Sequence, residues 1–222
     1  MTTLKTSYYR QNIAPQLFFD SAGKPTHGIL FDITHAIAKN LNTSLEMIAI
    51  PRKRITQALI DNTIDMHCLA NPLWYQQSSL QWSKVIYKNP DFLINNKGLN
   101  SLQELAYYQQ LKIGTSLGYV YPELAPYLKN NNIRRVDSLT PEQSYKKYQR
   151  KQLAGFIIPK VEASFLTKST SDSVVILNNN DIHCVFSPNV KKATVDQINQ
   201  AITQLKTSGK LTAIFAEYSR VH

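Results

Sequence analysis

The chain has 222 residues, a hydrophobic content of 43%, a charged content of 18% and a formal net charge of +10. That length holds one large domain or two small lobes, and that balance is typical of a soluble globular chain. No run approaches the ~20 apolar residues of a membrane helix. The cations are spread out, with local clusters only at Arg52–Arg54, Arg134–Arg135, Lys146–Lys151 and Lys191–Lys192. Without zinc-finger spacing, an aromatic RNA-binding pattern or a basic tail, nucleic acid is set aside as a partner. The charge reads as a solvated surface biased toward anionic ligands.

Leu4–Arg10 alternates weakly and is expected as a first strand, followed by a loop at Asn12–Pro15 and a short strand at Leu17–Phe19. Asp20-Ser21-Ala22-Gly23 is a turn signal. Ile33, Ile37 and Leu41 mark one face of a helix over Phe31–Leu41, with Asp32 as its N-cap. Leu45–Ile50 is a short apolar strand ended by Pro51. Ile55, Ala58 and Leu59 recur at helical spacing, Asn62-Thr63 breaks that helix, and Ile64–Leu69 is a second apolar run. This βαβ unit predicts a parallel sheet with a right-handed crossover. Ligands of open α/β sheets sit where strands end and loops begin. Two such loops carry chemistry here: Arg52, Lys53 and Arg54 in one, Asn71, Pro72, Trp74 and Tyr75 in the other.

Trp82–Tyr87 is expected as a strand, Asn89-Pro90-Asp91 as a break and Phe92–Ile94 as the next strand. Ser101–Glu104 and Thr140–Gln143 read as capping boxes, the second opening a helix through Tyr145 and Tyr148. Ile113–Ser116 looks like a strand end, and Pro122 suits the first turn of a helix containing Leu124 and Leu128. Phe156–Ile158 is a buried strand followed by a helix at Val161–Phe165. Val174–Leu177 and His183–Phe186 are strands separated by Asn178–Asn180. Thr194–Gln197 caps a long helix carrying Val195, Ile198, Ile202 and Leu205 on one face. Gly209 suits its C′ position, and Leu211–Tyr218 adds a terminal helix. Two α/β lobes follow, residues 1–88 with 184–222, and an inserted lobe of residues 89–183. Two crossings between lobes make a natural hinge.

The order of these motifs resembles a known family. The carrying residues are Gly28-Ile29 with Asp32-Ile33 and Ala36–Ala38, Ala58-Leu59 with Ile64-Asp65, and Trp82–Tyr87. In the inserted lobe they are Ser101-Leu102 with Leu105, Ile113-Gly114 with Gly118, and Leu153–Ile158. Asn199–Ile202 with Ser208-Gly209 and Leu211 completes the set. Together they are similar to the solute-binding proteins of bacterial ABC transporters of the polar-amino-acid-binding kind (type II periplasmic fold, family 3). The resemblance implies a two-lobed α/β fold, each lobe a mostly parallel sheet flanked by helices. It implies hinge closure on a small solute, a monomer, delivery to a membrane permease, and a periplasmic location with any leader already removed. MTTLKTSYYR itself shows no leader, so the residues alone leave two expectations open, a cytoplasmic protein or a mature form with its leader removed.

Family members that bind amino acids use an Arg before the Trp82-Ser83 equivalent to hold the α-carboxylate, and an Asp after the Phe156–Ile158 equivalent to hold the ammonium. Here those places fall near Gln76 and at Pro159, with Lys160 beside it; no Arg lies between Asp65 and Trp82. The ligand expected is therefore a small polar or anionic metabolite, amino-acid-like or an organic acid. In the family's sheet order Cys68 and Cys184 lie on neighbouring strands. The expectation is nevertheless two free thiols, with one disulfide as the alternative, because bridging needs a specific Cβ geometry.

Arg54 is the candidate anionic anchor through charge-assisted forked hydrogen bonds, and Arg52 the second candidate; the plain alternative is a solvated charge at a helix start. Asn71, Trp74 and Tyr75 form a candidate wall, or simply a packed loop. Gly118, Tyr119 and Tyr121 are candidate closing contacts, Tyr9 and Phe19 a first-loop aromatic wall, and Lys160 a further cation. His27, His35, His67, His183 and His222 lack paired metal spacing, and no phosphate loop or nucleophile elbow is present, so no cofactor is expected. One alternative is an enzyme like the cyclohexadienyl dehydratases, which resemble these binders. It would need an acid in the site, and Glu162 is the acidic residue near it. Another is the sensing domain of a membrane receptor.

Overall fold

The computed structural model describes residues 3–10, 14–167 and 172–219. Half of the loop expected at Asn12–Pro15, and His222, lie outside them. In chain order the first segment holds β1 (Thr3–Tyr8), β2 (Phe18–Phe19), β3 (Pro25–His27), α1 (Ile29–Asn40) and β4 (Ser44–Ala49). A 3-10 turn (Arg52–Arg54) then leads into α2 (Ile55–Ile60), followed by β5 (Met66–Ala70), a 3-10 turn (Pro72–Trp74), β6 (Gln81–Trp82) and β7 (Tyr87–Lys88). The inserted segment holds β8 (Asp91–Asn95), a 3-10 helix (Leu102–Tyr107), β9 (Leu111–Ser116), α3 (Ala125–Lys129), β10 (Ile133–Ser138), α4 (Pro141–Gln149), β11 (Gly155–Pro159), α5 (Lys160–Leu166) and β12 (Ser173–Ile176). The chain ends with β13 (Asp181–Phe186), α6 (Lys192–Thr207) and α7 (Lys210–Tyr218).

Two units result: unit 1 is Met1–Lys88 with Asp181–His222, and unit 2 is Asn89–Asn180. The return crossing comes at Asn180, ahead of the expected His183. The reason is local. The side-chain amides of Asn178 and Asn180 donate to the Asp91 carboxylate at 2.9 and 3.0 Å, holding that turn in unit 2, while Asp181 already pairs with Lys88 in β13–β7.

In unit 1 the sheet order is β4-β1-β5-β13-β6. β1 runs parallel to both β4 and β5, so the crossover through α2 passes over one strand, and β13 returns antiparallel to β5. Ile55, Leu59, Ile64, Ala70, Leu80 and Val185 pack one cluster. In unit 2 the order is β10-β9-β11-β8-β12, with β10, β9 and β11 parallel and β8 and β12 antiparallel to their neighbours. Its adjacent strands β11 and β8 carry apolar side chains on both faces because both faces are covered there. Leu93, Ile113, Ile133, Ile157 and Val175 face one cluster, and Ile94, Phe156 and Ile158 face the other with Tyr148 and Leu153. A Cβ on Gly114 would lie 2.7 Å from Leu153 Cδ1 and 3.1 Å from Ser144 Cβ, so only glycine lets α4 pack this close to β9.

Several local expectations are corrected. Asp32 does not cap α1: the helix starts from Gly28, and Asp32 accepts a hydrogen bond from the Tyr218 hydroxyl, which in turn accepts the Gly28 N–H at 2.9 Å. Gly28 has φ 128, and a Cβ there would lie 2.5 Å from the Gln16 carbonyl oxygen. Thr194 is inside α6, which begins at Lys192. Trp82–Tyr87 is not one strand: β6 and β7 are separate, because the Ser83 hydroxyl takes the Cys184 N–H at 2.9 Å. Ser101 opens a 3-10 helix without capping its backbone; its hydroxyl donates to Glu104 instead.

The free thiols are also corrected. Cys68 and Cys184 form a disulfide across β5 and β13. They are register partners, and the backbone groups of Cys184 bond toward Ser83 on its other side. The two cysteines are therefore a non-hydrogen-bonded antiparallel pair, the arrangement that brings facing side chains closest.

Candidate functional site

In unit 1 the site residues come from loops at the ends of β1, β4 and β5. Beyond β4, the Ile50 N–H donates to the Tyr8 carbonyl at 2.8 Å, and Pro51 directs the chain into the 3-10 turn. With three residues per turn, consecutive side chains of such a turn point in three directions. Arg52 is half-buried, and its guanidinium carbon lies 5.7 Å from the centroid of the Trp74 ring. Lys53 and Arg54 are exposed. The structure thus brings Arg52, rather than the expected Arg54, to the aromatic loop.

That loop is fixed by Asn71, which is buried. Its Oδ1 accepts the Leu73 N–H at 2.9 Å, and its Nδ2 donates to the Asp181 carbonyl at 3.0 Å. Asn71 is therefore a pin with its amide committed to the protein. Leu73 and Trp74 project, 90% and 42% exposed. Tyr75 turns inward and meets Trp82 edge-on at 5.4 Å. Burial, reinforced by Tyr9 and opposed by the Arg52 charge, raises the Tyr75 phenol well above its ordinary range. Gln76 is exposed.

Sequence reasoning placed His67 in a strand and gave it no role in the site. It is 1% exposed, its Nδ1 lies 2.9 Å from the Ser7 hydroxyl, and its ring is 6.0 Å from that of Tyr9. Burial lowers its pKa to about 4, against the Ser7 backbone hydrogen bond and with a further push from Arg52. A neutral imidazole thus lies beneath Tyr9, within the field of Arg52. The available signal was a histidine inside an apolar strand next to a basic turn. Phe19 packs on Tyr8, with ring centroids 5.8 Å apart.

In unit 2 the loop after β9 is held from below by Arg135, which sequence reasoning left as part of a surface cluster. Its Nη2 donates to the carbonyls of Ser116 at 3.0 Å and Tyr119 at 2.8 Å, and its Nε to Asp137 at 2.7 Å. Gly118 has φ 79 and nothing within 4 Å of a Cβ position, so it is an open turn. Tyr119 is half-buried, its ring stacked on Tyr121 at 6.2 Å. Tyr121 is a core residue rather than a surface contact. It is 6% exposed, accepts the Ser116 N–H at 3.3 Å, and lies 5.6 Å beneath the Arg135 guanidinium. Burial pushes its phenol up to about 12. Lys160 is exposed at the start of α5. Glu162 is buried and accepts from the Asn89 amide at 3.1 Å. Among the described residues no group of three or more His, Cys, Asp or Glu is placed to hold a metal ion, and no helix is long and apolar enough to cross a membrane.

These features were compared with known proteins. The substrate-binding protein of an amino acid ABC transporter is 20% identical, over 98% of this chain and 99% of its own, with a TM-score of 0.73. An ancestral cationic amino acid solute-binding protein is 15% identical, over 98% of this chain and 96% of its own, with a TM-score of 0.79. A Salmonella typhimurium periplasmic binding protein of high arginine specificity is 17% identical, over 99% of this chain and all of its own, with a TM-score of 0.72. These likenesses establish the type II periplasmic binding fold. No curated protein matches by sequence. The family profile described as bacterial extracellular solute-binding proteins, family 3, matches residues 6–221. The chain belongs to that family.

Proposed function

We propose that this solute-binding protein captures a small carboxylate-bearing metabolite on the unit 1 face formed by Arg52, Trp74, Tyr75 and Tyr9, for uptake through the membrane permease of an ABC transporter. The observation that carries the reading is the Arg52 guanidinium over Trp74, beside the ends of the parallel strands. A planar cation offers forked donors to a carboxylate, and the exposed indole offers a flat apolar surface. The Gly118–Tyr119 turn of unit 2 is a second candidate contact, and closure of the two units on the solute belongs to the same reading. Arg54 and Lys160, both exposed, would contribute field rather than a fixed contact. Glu162 is buried and bonded to Asn89, which favours binding over dehydratase-like catalysis.

The test starts with native mass spectrometry of freshly purified protein, to identify a co-purified solute. Calorimetry with that solute then compares Arg52→Ala and Arg54→Ala. Loss of a charged donor in a partly desolvated site should cost Arg52→Ala about 2 kcal/mol, roughly thirtyfold. Arg54→Ala should bind within a few-fold of wild type. The reverse order would return the anchor to Arg54; unimpaired binding by both would remove the basic turn from the site.

A further inference from the structure

Unit 2 is electrically polarised along its strands. β9, β10 and β11 are parallel and so begin at one end of the sheet. There Lys112 of β9 stands in register with Arg134 of β10, and both are exposed. By strand alternation they share the face of Gly114 and Val136, which α4 covers. α4 starts beyond the far end of β10 and runs back, delivering exposed Arg150 and Lys151 to the same end. The chain then returns through Ala154, whose N–H donates to the Lys112 carbonyl at 2.9 Å. The Ala154 carbonyl accepts the Asn96 N–H at 3.0 Å, which brings exposed Lys97, just past antiparallel β8, to this end as well.

Few acids oppose these cations. Glu104 and Asp172 lie at this end, the first bonded to the Ser101 hydroxyl and the second beside Tyr148. Asp91, Asp137, Glu142 and Glu162 all sit at the other end, where β8 and α4 start and where β10 and β11 finish. None of the ion pairs among the described residues uses Lys97, Lys112, Arg134, Arg150 or Lys151. The negative end of the α4 dipole accounts for a cation in its last turn. It does not account for like charges facing each other on neighbouring strands, which destabilise a sheet. The fold carries a repulsion that an external anion would relieve. That anion is not the captured solute, because the Gly118–Tyr119 turn lies at the opposite end of β9.

We propose that this cationic end of unit 2 is a docking surface for an anionic phospholipid membrane. The cations come from separate segments spread over one rim of the sheet, which suits an extended charged surface better than a discrete small anion. An extracellular solute-binding protein works beside such a surface, and cations held at a bilayer are attracted by its anionic lipids within about a Debye length. Docking by the rim would leave the loop end of unit 2 free.

The experiment is co-sedimentation of the full chain with phosphatidylcholine vesicles, with and without phosphatidylglycerol, at rising salt. The rim variant is Lys112→Glu, Arg134→Glu and Lys151→Glu. The control reverses three exposed cations of unit 1, Lys24→Glu, Lys39→Glu and Lys210→Glu, for the same change in net charge. Unchanged melting midpoints establish that both variants are folded. The expected result is binding that requires phosphatidylglycerol, weakens with salt, falls on the order of tenfold or more in the rim variant and persists in the control. Three results would overturn the proposal: no phosphatidylglycerol-dependent binding, equal losses in both variants, or tighter binding to DNA than to vesicles at equal phosphate concentration.

Discussion

His67 makes the stability of unit 1 pH-dependent, and the size of the effect follows from its burial. Its pKa falls from 6.5 to about 4 in the folded chain. The folded value lies below the unfolded one, so as pH falls the unfolded chain takes up the proton first. The contribution of a neutral His67 is full above about pH 6.5 and is lost progressively toward about pH 4. At 1.36 kcal/mol per pH unit, the loss is about 2 kcal/mol near pH 5 and about 3 kcal/mol near pH 4. Carboxylates also titrate in this range, so the comparison is with His67→Gln, which retains a polar group for Ser7 and does not titrate. Both tryptophans, Trp74 and Trp82, belong to unit 1, so tryptophan fluorescence during urea unfolding reports that unit alone. Between neutral pH and about pH 5, wild type should lose about 2 kcal/mol more than His67→Gln. Equal losses in the two proteins would mean that the fold does not hold His67 neutral, and the burial argument fails.

The disulfide predicts no titratable thiol when the protein is denatured without reductant, and two after reduction. With 116 residues of sequence separation, loop-closure entropy alone suggests that Cys68→Ala with Cys184→Ala costs about 4–5 kcal/mol; two thiols before reduction would refute the pairing. Common α-amino acids should bind poorly if, as the resemblance implies, Gln76 and Pro159 take the places of the family's carboxylate and ammonium partners, each missing charged partner costing ~2–5 kcal/mol. Micromolar binding of several in a calorimetric screen would show that the clamp lies elsewhere. Saturation with the co-purified solute should lower the radius of gyration measured by small-angle scattering; an unchanged value, in a protein stripped of solute beforehand, would count against closure.

Secondary structure driven by local pattern was legible in the sequence. The run Leu45–Leu69 showed its strand, helix and strand by apolar spacing, and Thr140 caps α4 as its position suggested, accepting the Gln143 N–H at 3.3 Å. What escaped depends on partners distant in sequence. Asp32 looks like a cap until Tyr218, 186 residues away, takes its carboxylate. Trp82–Tyr87 reads as one strand until Ser83 bonds across to Cys184. The choice between Arg52 and Arg54 turned on whether the helix began in a 3-10 turn, and three successive cations carry no signal of that phase. Tyr121 and Arg135 were obscured in the same way. An aromatic beside a loop glycine and an arginine in a basic pair both look like surface residues, yet each completes the other's burial in unit 2.

Both candidate loops spend their backbone on the protein before any solute arrives. In unit 1 the register passes from Cys184–Cys68 to His183–Ala70, leaving Leu69 unpaired at a bulge with φ 79. A leucine in the left-handed region costs ~1–2 kcal/mol. That conformation is held from both sides, by the disulfide at Cys68 and by the Asn71 amide on the Asp181 carbonyl. The bulge turns the chain off the sheet, so that Pro72–Tyr75 can present Trp74 to Arg52. In unit 2 the Arg135 guanidinium does the equivalent work through two carbonyls of the Ser116–Tyr119 turn. A loop already ordered loses little conformational entropy on binding, so more of each contact with the solute remains as affinity. At Leu69, where a leucine is held in the left-handed region, restraints close in on both sides, and the loop they order is the one that presents Trp74 to a ligand.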